Sequence, residues 1–241
     1  MMSTDESWLR ELTEQSMKKQ ERFMNNIASR LKRPRQTTTP VQPFRGAPDF
    51  WYEMEWDEQE RMDKFTSHFQ SVGGHVIQVT SYMEAGQFIA DKAEELGAKR
   101  VIKQGQAELN GLGLEGRLPA LDISTWNSEE NVNWKAAAAE ADFGIVIADG
   151  AAAYTGSILV KSASDKGRSV SLLPTVMFII IPVERLKTRL GELLAPLDEL
   201  GREGLPAGVH FISGPSRSSD IENELTIGVH GPGIVYAILM R

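Results

Sequence analysis

Two segments near the C-terminal end of this 241-residue chain carry residue types suited to holding a small anion. In Phe211-Ile212-Ser213-Gly214-Pro215-Ser216-Arg217-Ser218-Ser219-Asp220-Ile221-Glu222 an apolar strand runs into a Gly-Pro turn, and Gly228-Val229-His230-Gly231-Pro232 follows closely. Ser219 and Glu222 have the spacing of a capping box, so the pattern predicts a helix opening at Ser218 to Asp220. The first N–H groups of such a helix lack intrahelical partners, and Arg217 just before them would add a planar guanidinium. Together they suit a carboxylate or phosphate; an ordinary helix cap beside a solvated arginine has the same spacing.

A third segment, Asp149 to Ser157, is built of small residues that let a ligand approach the main chain, with Thr155, Gly156 and Ser157 closing it. A crowded turn would look the same. Arg168, after Gly167, offers a second guanidinium in a turn that also fits plain solvation. Of the four histidines, His68, His75, His210 and His230, only His230 stands in a site-like loop, and none has metal-ligand spacing, so no metal is expected. The candidate anion-binding set is thus Thr155, Gly156, Ser157, Arg168, Gly214, Ser216 and Arg217, with Ser218, Ser219, Asp220 and His230. No residue is assigned as catalytic.

These residues need a frame. Apolar spacing predicts one or two amphipathic helices over residues 1–33, from Trp8 to Leu31, and residues 34–50, rich in Pro and Thr, read as an extended linker. The cluster Phe50, Trp51, Tyr52 and Trp56 would anchor its far end, and residues 51–241 form the main domain. Within it the pattern alternates: a helix over 57–71, a strand at 75–79, a helix capped by Ser81 and Glu84 and ended by Gly97, a strand at 100–103 and a helix near 128–140. Apolar runs at 143–148, 158–160 and 176–181 follow, then a helix after Pro182 marked by Val183, Leu186, Leu190, Leu193 and Leu197, then strands at 209–212 and 234–239. A hairpin is expected between Ser157 and Leu173, turning at Ser164 to Gly167. Continuous apolar strands alternating with helices predict an α/β fold, a mostly parallel sheet covered by helices on both faces.

Composition narrows the chemistry. The net charge of −7 argues against a nucleic-acid surface, and the absence of cysteine removes disulfides, thiolate-held metal or iron–sulfur centres and cysteine nucleophiles. Gly111 to Gly116 matches G-x-G-x-x-G, but polar residues precede it and Pro119 follows, so it reads as a flexible loop. There is no G-x-S-x-G nucleophile elbow. No signal-peptide order or membrane-length apolar run occurs, and a soluble cytoplasmic protein is expected.

In order and spacing, Asp149 to Gly156, Gly167 to Pro174, Ile212 to Glu222 and Gly228 to Pro232 resemble the LUD-domain family, and Arg22 to Ala28 resembles its N-terminal helix. The resemblance implies a fold similar to the Rossmann-like sugar-phosphate isomerases and CoA-transferases. It also implies a part in bacterial L-lactate oxidation to pyruvate beside two iron–sulfur partner proteins. Where the family usually has an acidic residue before Thr-Gly, this chain has Tyr154. Lactate oxidation moves two electrons, and with no cysteine and no surviving nicotinamide or flavin motif the expectation is that this chain binds no cofactor, the clusters residing in the partners. It would then be an accessory component binding a small anion or its partners. The alternative is an isomerase- or acyl-transferase-like enzyme with Asp149 or Asp220 as general base and Arg217 as clamp. Under either reading, the N-terminal helix and aromatic cluster suit docking or homo-oligomer formation.

Overall fold

The computed structural model describes residues 4–38, 51, 53–219 and 225–241. The chain divides into two compact units, residues 1–51 and 52–241. In the first, helix α1 (Thr4–Arg30) leaves Trp8, Leu12, Phe23 and Ile27 exposed along its apolar stripe. Most of the linker expected over 34–50, together with Phe50 and Tyr52 of the aromatic cluster, lies outside the described residues.

The second unit is organised by a six-stranded sheet in the order β1-β12-β7-β4-β2-β3, every neighbouring pair parallel. Its strands are β1 (His75–Val79), β2 (Arg100–Lys103), β3 (Asp122–Thr125), β4 (Phe143–Ile147), β7 (Val176–Pro182) and β12 (Ile234–Met240). Strands β4 and β7 are buried at every residue, which explains their unbroken apolar runs. A smaller sheet in the order β8-β5-β6-β9 comprises β5 (Gly150–Ala152), β6 (Ser157–Lys161), β8 (Leu186–Lys187) and β9 (Val209–Ile212).

Both faces of the large sheet are covered. Met62, Phe65 and Phe69 of α2 (Glu58–Ser71) share one apolar cluster with Ala138 of α5 (Trp134–Glu140), Val170 of α6 (Arg168–Leu172) and the inner face of the small sheet. On the other face Ala85, Ile89 and Ala93 of α3 (Tyr82–Leu96) pack against Phe178 and Ile238. Each fully buried aromatic such as Phe65 or Phe178 contributes about 2–3 kcal/mol through burial. Helix starts follow local chemistry: the Asp57 carboxylate accepts from Glu60 N at 2.8 Å, and Ser81 Oγ from Glu84 N at 3.2 Å.

Several expectations are corrected. Residues 111–116 are not a flexible loop but the junction of a 3₁₀ turn (Ala107–Leu112) with α4 (Leu114–Arg117), held by buried Leu109, Leu112 and Leu114. The helix near 128–140 is confined to α5, which Asn133 caps. After Pro182 the chain first makes a 3₁₀ turn and the short β8, and only then α7 (Gly191–Glu199) and α8 (Gly201–Gly204), because Leu186 is drawn into pairing with Ala151. The second arm of the expected 157–173 hairpin is helical: the chain turns at an Ala163–Lys166 bridge and enters α6.

Candidate functional site

The site grows from the end of β9. Beyond Ile212 the chain turns through Ser213-Gly214-Pro215-Ser216, with Gly214 at φ +99° and so close over α2 that a Cβ there would stand 2.9 Å from Val72 Cγ2. Glycine alone meets both demands. Ser216 N then donates to Pro232 O at 2.9 Å and Gly228 N to Ser216 O at 3.0 Å, while Gly233 N donates to Thr175 O at 2.9 Å. These bonds fasten the Ser213–Ser216 turn to the His230–Pro232 turn above the amino ends of β7 and β12. The result is a cleft of about 290 Å³ lined by Ser171, Met177, Ser213, Gly214, Ser216 and His230 among others.

A further strand reaches the cleft through a hydroxyl pair. Ser157, 7% exposed at the start of β6, has its Oγ 2.8 Å from Ser213 Oγ. Gly156, at φ +59°, seats the preceding turn on α2: a Cβ there would stand 3.0 Å from both His68 Cβ and Phe69 N. His68 Nδ1 lies 2.9 Å from Ala153 O on the same turn, and the Tyr154 ring packs near Trp56 and His68. Ala153 to Gly156 pack against α2, and Ser157 touches the cleft only through Ser213; neither Gly156 nor Ser157 is itself a lining residue. Thr155 is exposed and does not line the cleft.

The guanidinium groups are elsewhere. Arg217 Nη2 donates to the main-chain oxygen of Val72, which caps the C-terminal end of α2, and Arg217 is not a lining residue. Residues 217–219 form β10, paired antiparallel with β11 (Leu225–Ile227) in the register Arg217–Ile227, Ser218–Thr226, Ser219–Leu225. The predicted helix start at Ser218–Ser219 is thereby overturned: Leu225-Thr226-Ile227 is good strand sequence, and ladder pairing draws residues 217–219 into a strand. Asp220 and Glu222 lie outside the described residues. Arg168 begins α6 with its side chain against Gly208 and is likewise absent from the lining.

Cleft chemistry is therefore that of hydroxyls, main chain and an apolar floor, with His230 the one ionisable side chain among the described lining residues. Ser171, 2% exposed, donates to Arg168 O at 3.0 Å and walls the cleft from α6. Neither Ser171 nor Ser213 was singled out from sequence, although both stand in segments that were. The available signal was a lone polar residue between apolar neighbours, Val170-Ser171-Leu172 and Ile212-Ser213-Gly214.

Asp149 sits at the opposite edge of the sheet, two residues beyond β4. Its carboxylate accepts from Lys161 N and from Lys166 Nζ, each at 2.7 Å, with Lys161 Nζ at 3.8 Å. Such a carboxylate fastens β6 and the 163–166 turn; as a general base it would have to release an ammonium group first. Among the described residues no group of three or more histidines or acids could hold a metal ion, and no helix is long and apolar enough to cross a membrane.

Relatives extend over nearly the whole chain. Two proteins named lactate utilization protein C, from Halalkalibacterium halodurans and Shouchella clausii, are each 33% identical over 90% of this chain and 95% of their own length. A crystal structure of a DUF162 family protein from Deinococcus radiodurans superposes with a TM-score of 0.57 over 77% of this chain and 99% of that one at 20% identity, a likeness of fold. The LUD domain model matches residues 62–240, which span the large sheet from α2 to β12 and every segment of the cleft, so the chain belongs to the LUD domain family.

Proposed function

We propose that the chain serves lactate utilization, as a component of L-lactate oxidation to pyruvate that binds a small 2-hydroxy or 2-oxo acid. The observation that carries this reading is the near full-length likeness to two chains named lactate utilization protein C. The cleft suits the ligand. Its volume of about 290 Å³ exceeds what a three-carbon acid needs, the Ser213 and Ser216 hydroxyls can hydrogen-bond a carboxylate or a hydroxyl, and Met177 and Val235 can face a methyl group. Without cysteine the chain supplies no thiolate ligands; the two iron–sulfur partner proteins that the family resemblance implies would accept the two electrons. The chain's own contribution is binding and presentation of the acid.

Isothermal titration of the whole chain with L-lactate and with pyruvate tests this. Binding of at least one is expected, weakened about tenfold by Ser213→Ala, the equivalent of ~1.4 kcal/mol. If neither acid binds, or if Ser213→Ala leaves the isotherm unchanged, the assignment of the cleft is wrong.

A further inference from the structure

The carboxyl ends of the parallel strands carry a second concavity, independent of the cleft. In open α/β sheets that edge is where ligands usually enter. Here β4 leads into Asp149 and β7 into Glu184 and Arg185, and a cavity of about 350 Å³ opens between these residues, the outer face of the small sheet and α7.

Its lining is divided. The floor is apolar: Leu159 of β6 is buried, Leu193 and Leu197 of α7 are each 8% exposed, and Leu200 at the rim is 48% exposed. The opposite wall is cationic. Lys161 lies on the same face of β6 as Leu159, two residues on, and Lys187 projects from β8. Arg185 Nη1 donates to Ala148 O at 2.8 Å and Lys187 Nζ to Glu184 O at 3.2 Å. Among the described residues neither cation has a carboxylate partner. Asp149 is matched by Lys166 at 2.7 Å, and the Glu192 carboxylate accepts from Arg189 N at 2.9 Å and Arg189 Nε at 3.1 Å. Lys161 Nζ is 3.8 Å from the same Asp149 carboxylate, so Glu184 is left to face Arg185 and Lys187. A chain of net charge −7 thus concentrates unmatched positive charge over a leucine floor.

We propose that this cavity binds an organic anion with an apolar body, its carboxylate or phosphate head between Lys187 and Arg185 and its alkyl part over Leu197 and Leu200. At a water's share of ~30 Å³, the volume holds a ligand of roughly ten non-hydrogen atoms, matched by an alkyl chain of about six carbons with its head group. The leucine floor gives such a ligand what lactate cannot use, and the cations give what an alcohol cannot.

The experiment is calorimetric titration of the whole chain with hexanoate, hexyl phosphate, inorganic phosphate and 1-hexanol. Hexanoate or hexyl phosphate should bind at least about tenfold more tightly than inorganic phosphate and hexanol, and the two anions separate a carboxylate from a phosphate preference. Lys187→Glu and Leu200→Asp, both at exposed side chains, should each weaken the preferred probe about tenfold while leaving the melting temperature and the L-lactate or pyruvate isotherm in place. The inference fails if neither hexyl anion binds at about 10 mM, if inorganic phosphate binds as well as hexyl phosphate, or if both variants bind like the parent chain. Because the cleft and this cavity lie at opposite ends of β7, loss of one isotherm with retention of the other identifies which assignment is wrong.

Discussion

The amino ends of β7 and β12 are furnished differently from the carboxyl ends of β2, β4 and β7. At the amino ends of β7 and β12 the chain arranges neutral hydrogen-bonding groups, with Ser157 joined to Ser213 and Ser216 joined to the 228–232 turn. At the carboxyl ends of β2, β4 and β7 it arranges charges: Lys103 with Glu115, Asp149 with Lys166, and Arg185 on the Ala148 oxygen. Neutral groups can exchange partners between protein, water and ligand at small net energy, whereas half-buried charges lose much when a partner is removed. The difference separates an end that offers a ligand neutral groups from one that offers it charge, where Lys103 and Asp149 are already committed to the fold.

The largest effect should come from breaking the charged end at its most buried carboxylate. Asp149, 10% exposed, answers two lysines and a main-chain N–H, so Asp149→Ala leaves Lys166 without its partner and should cost about 3–5 kcal/mol. At the other end Ser157→Ala removes one hydroxyl pair and should cost about 1 kcal/mol. Urea unfolding of the two variants compares the ends directly. If the aspartate variant were no less stable than the serine one, the contrast between the edges would be gone.

How far each edge could be read from sequence follows the same division. The strands that reach both edges, Phe143–Ile147 and Val176–Pro182, are legible because burial on two faces demands unbroken apolar residues. β3, Asp122-Ile123-Ser124-Thr125, is not, since an edge strand with one partner tolerates polar residues. Nor is β5, Gly150-Ala151-Ala152, which has no strand propensity of its own and is held by Ile158 and Leu186 on either side. Two capping boxes were read by the same rule: Ser81 with Glu84 opens α3, whereas Ser219 is paired across a ladder. Local spacing cannot separate these cases, because the second is decided by Leu225, beyond the window that the rule examines. The ordered segments of the cleft were visible, but Arg217's partner, Val72, is 145 residues away and had no sequence signal.

A second test of the charged end uses pH. Lys103 is 3% exposed, with Nζ 2.6 Å from Glu115 Oε1 and 3.2 Å from Asn110 Oδ1. The bond from Lys103 holds the Glu115 carboxyl below its ordinary value of 4.5. A carboxyl whose folded value is depressed stabilises the fold above its unfolded value, and that contribution is lost as pH falls through the folded one. Stability should therefore decline below about pH 5 more steeply in the parent chain than in Glu115→Gln. Near neutrality the variant should be weaker by about 1–2 kcal/mol, a figure kept small because Glu115 is 58% exposed. Parallel pH profiles would show that the ammonium group does not depend on this partner.

The smallest effect should come from Arg217, the residue after Ser216 of the cleft. Its guanidinium donates to Val72 O at the C-terminal end of α2, where a positive charge contributes about 0.3–1 kcal/mol. Arg217→Ala should therefore lower the melting temperature by about 1–4 °C and leave the L-lactate or pyruvate isotherm unchanged. Ser213→Ala should do the reverse, weakening the acid while costing no more stability than Ser157→Ala, since both changes break the same 2.8 Å pair. An Arg217→Ala chain that kept its stability but no longer bound the acid would place an anion clamp at the amino edge, and the division between a neutral end and a charged end would fall with it.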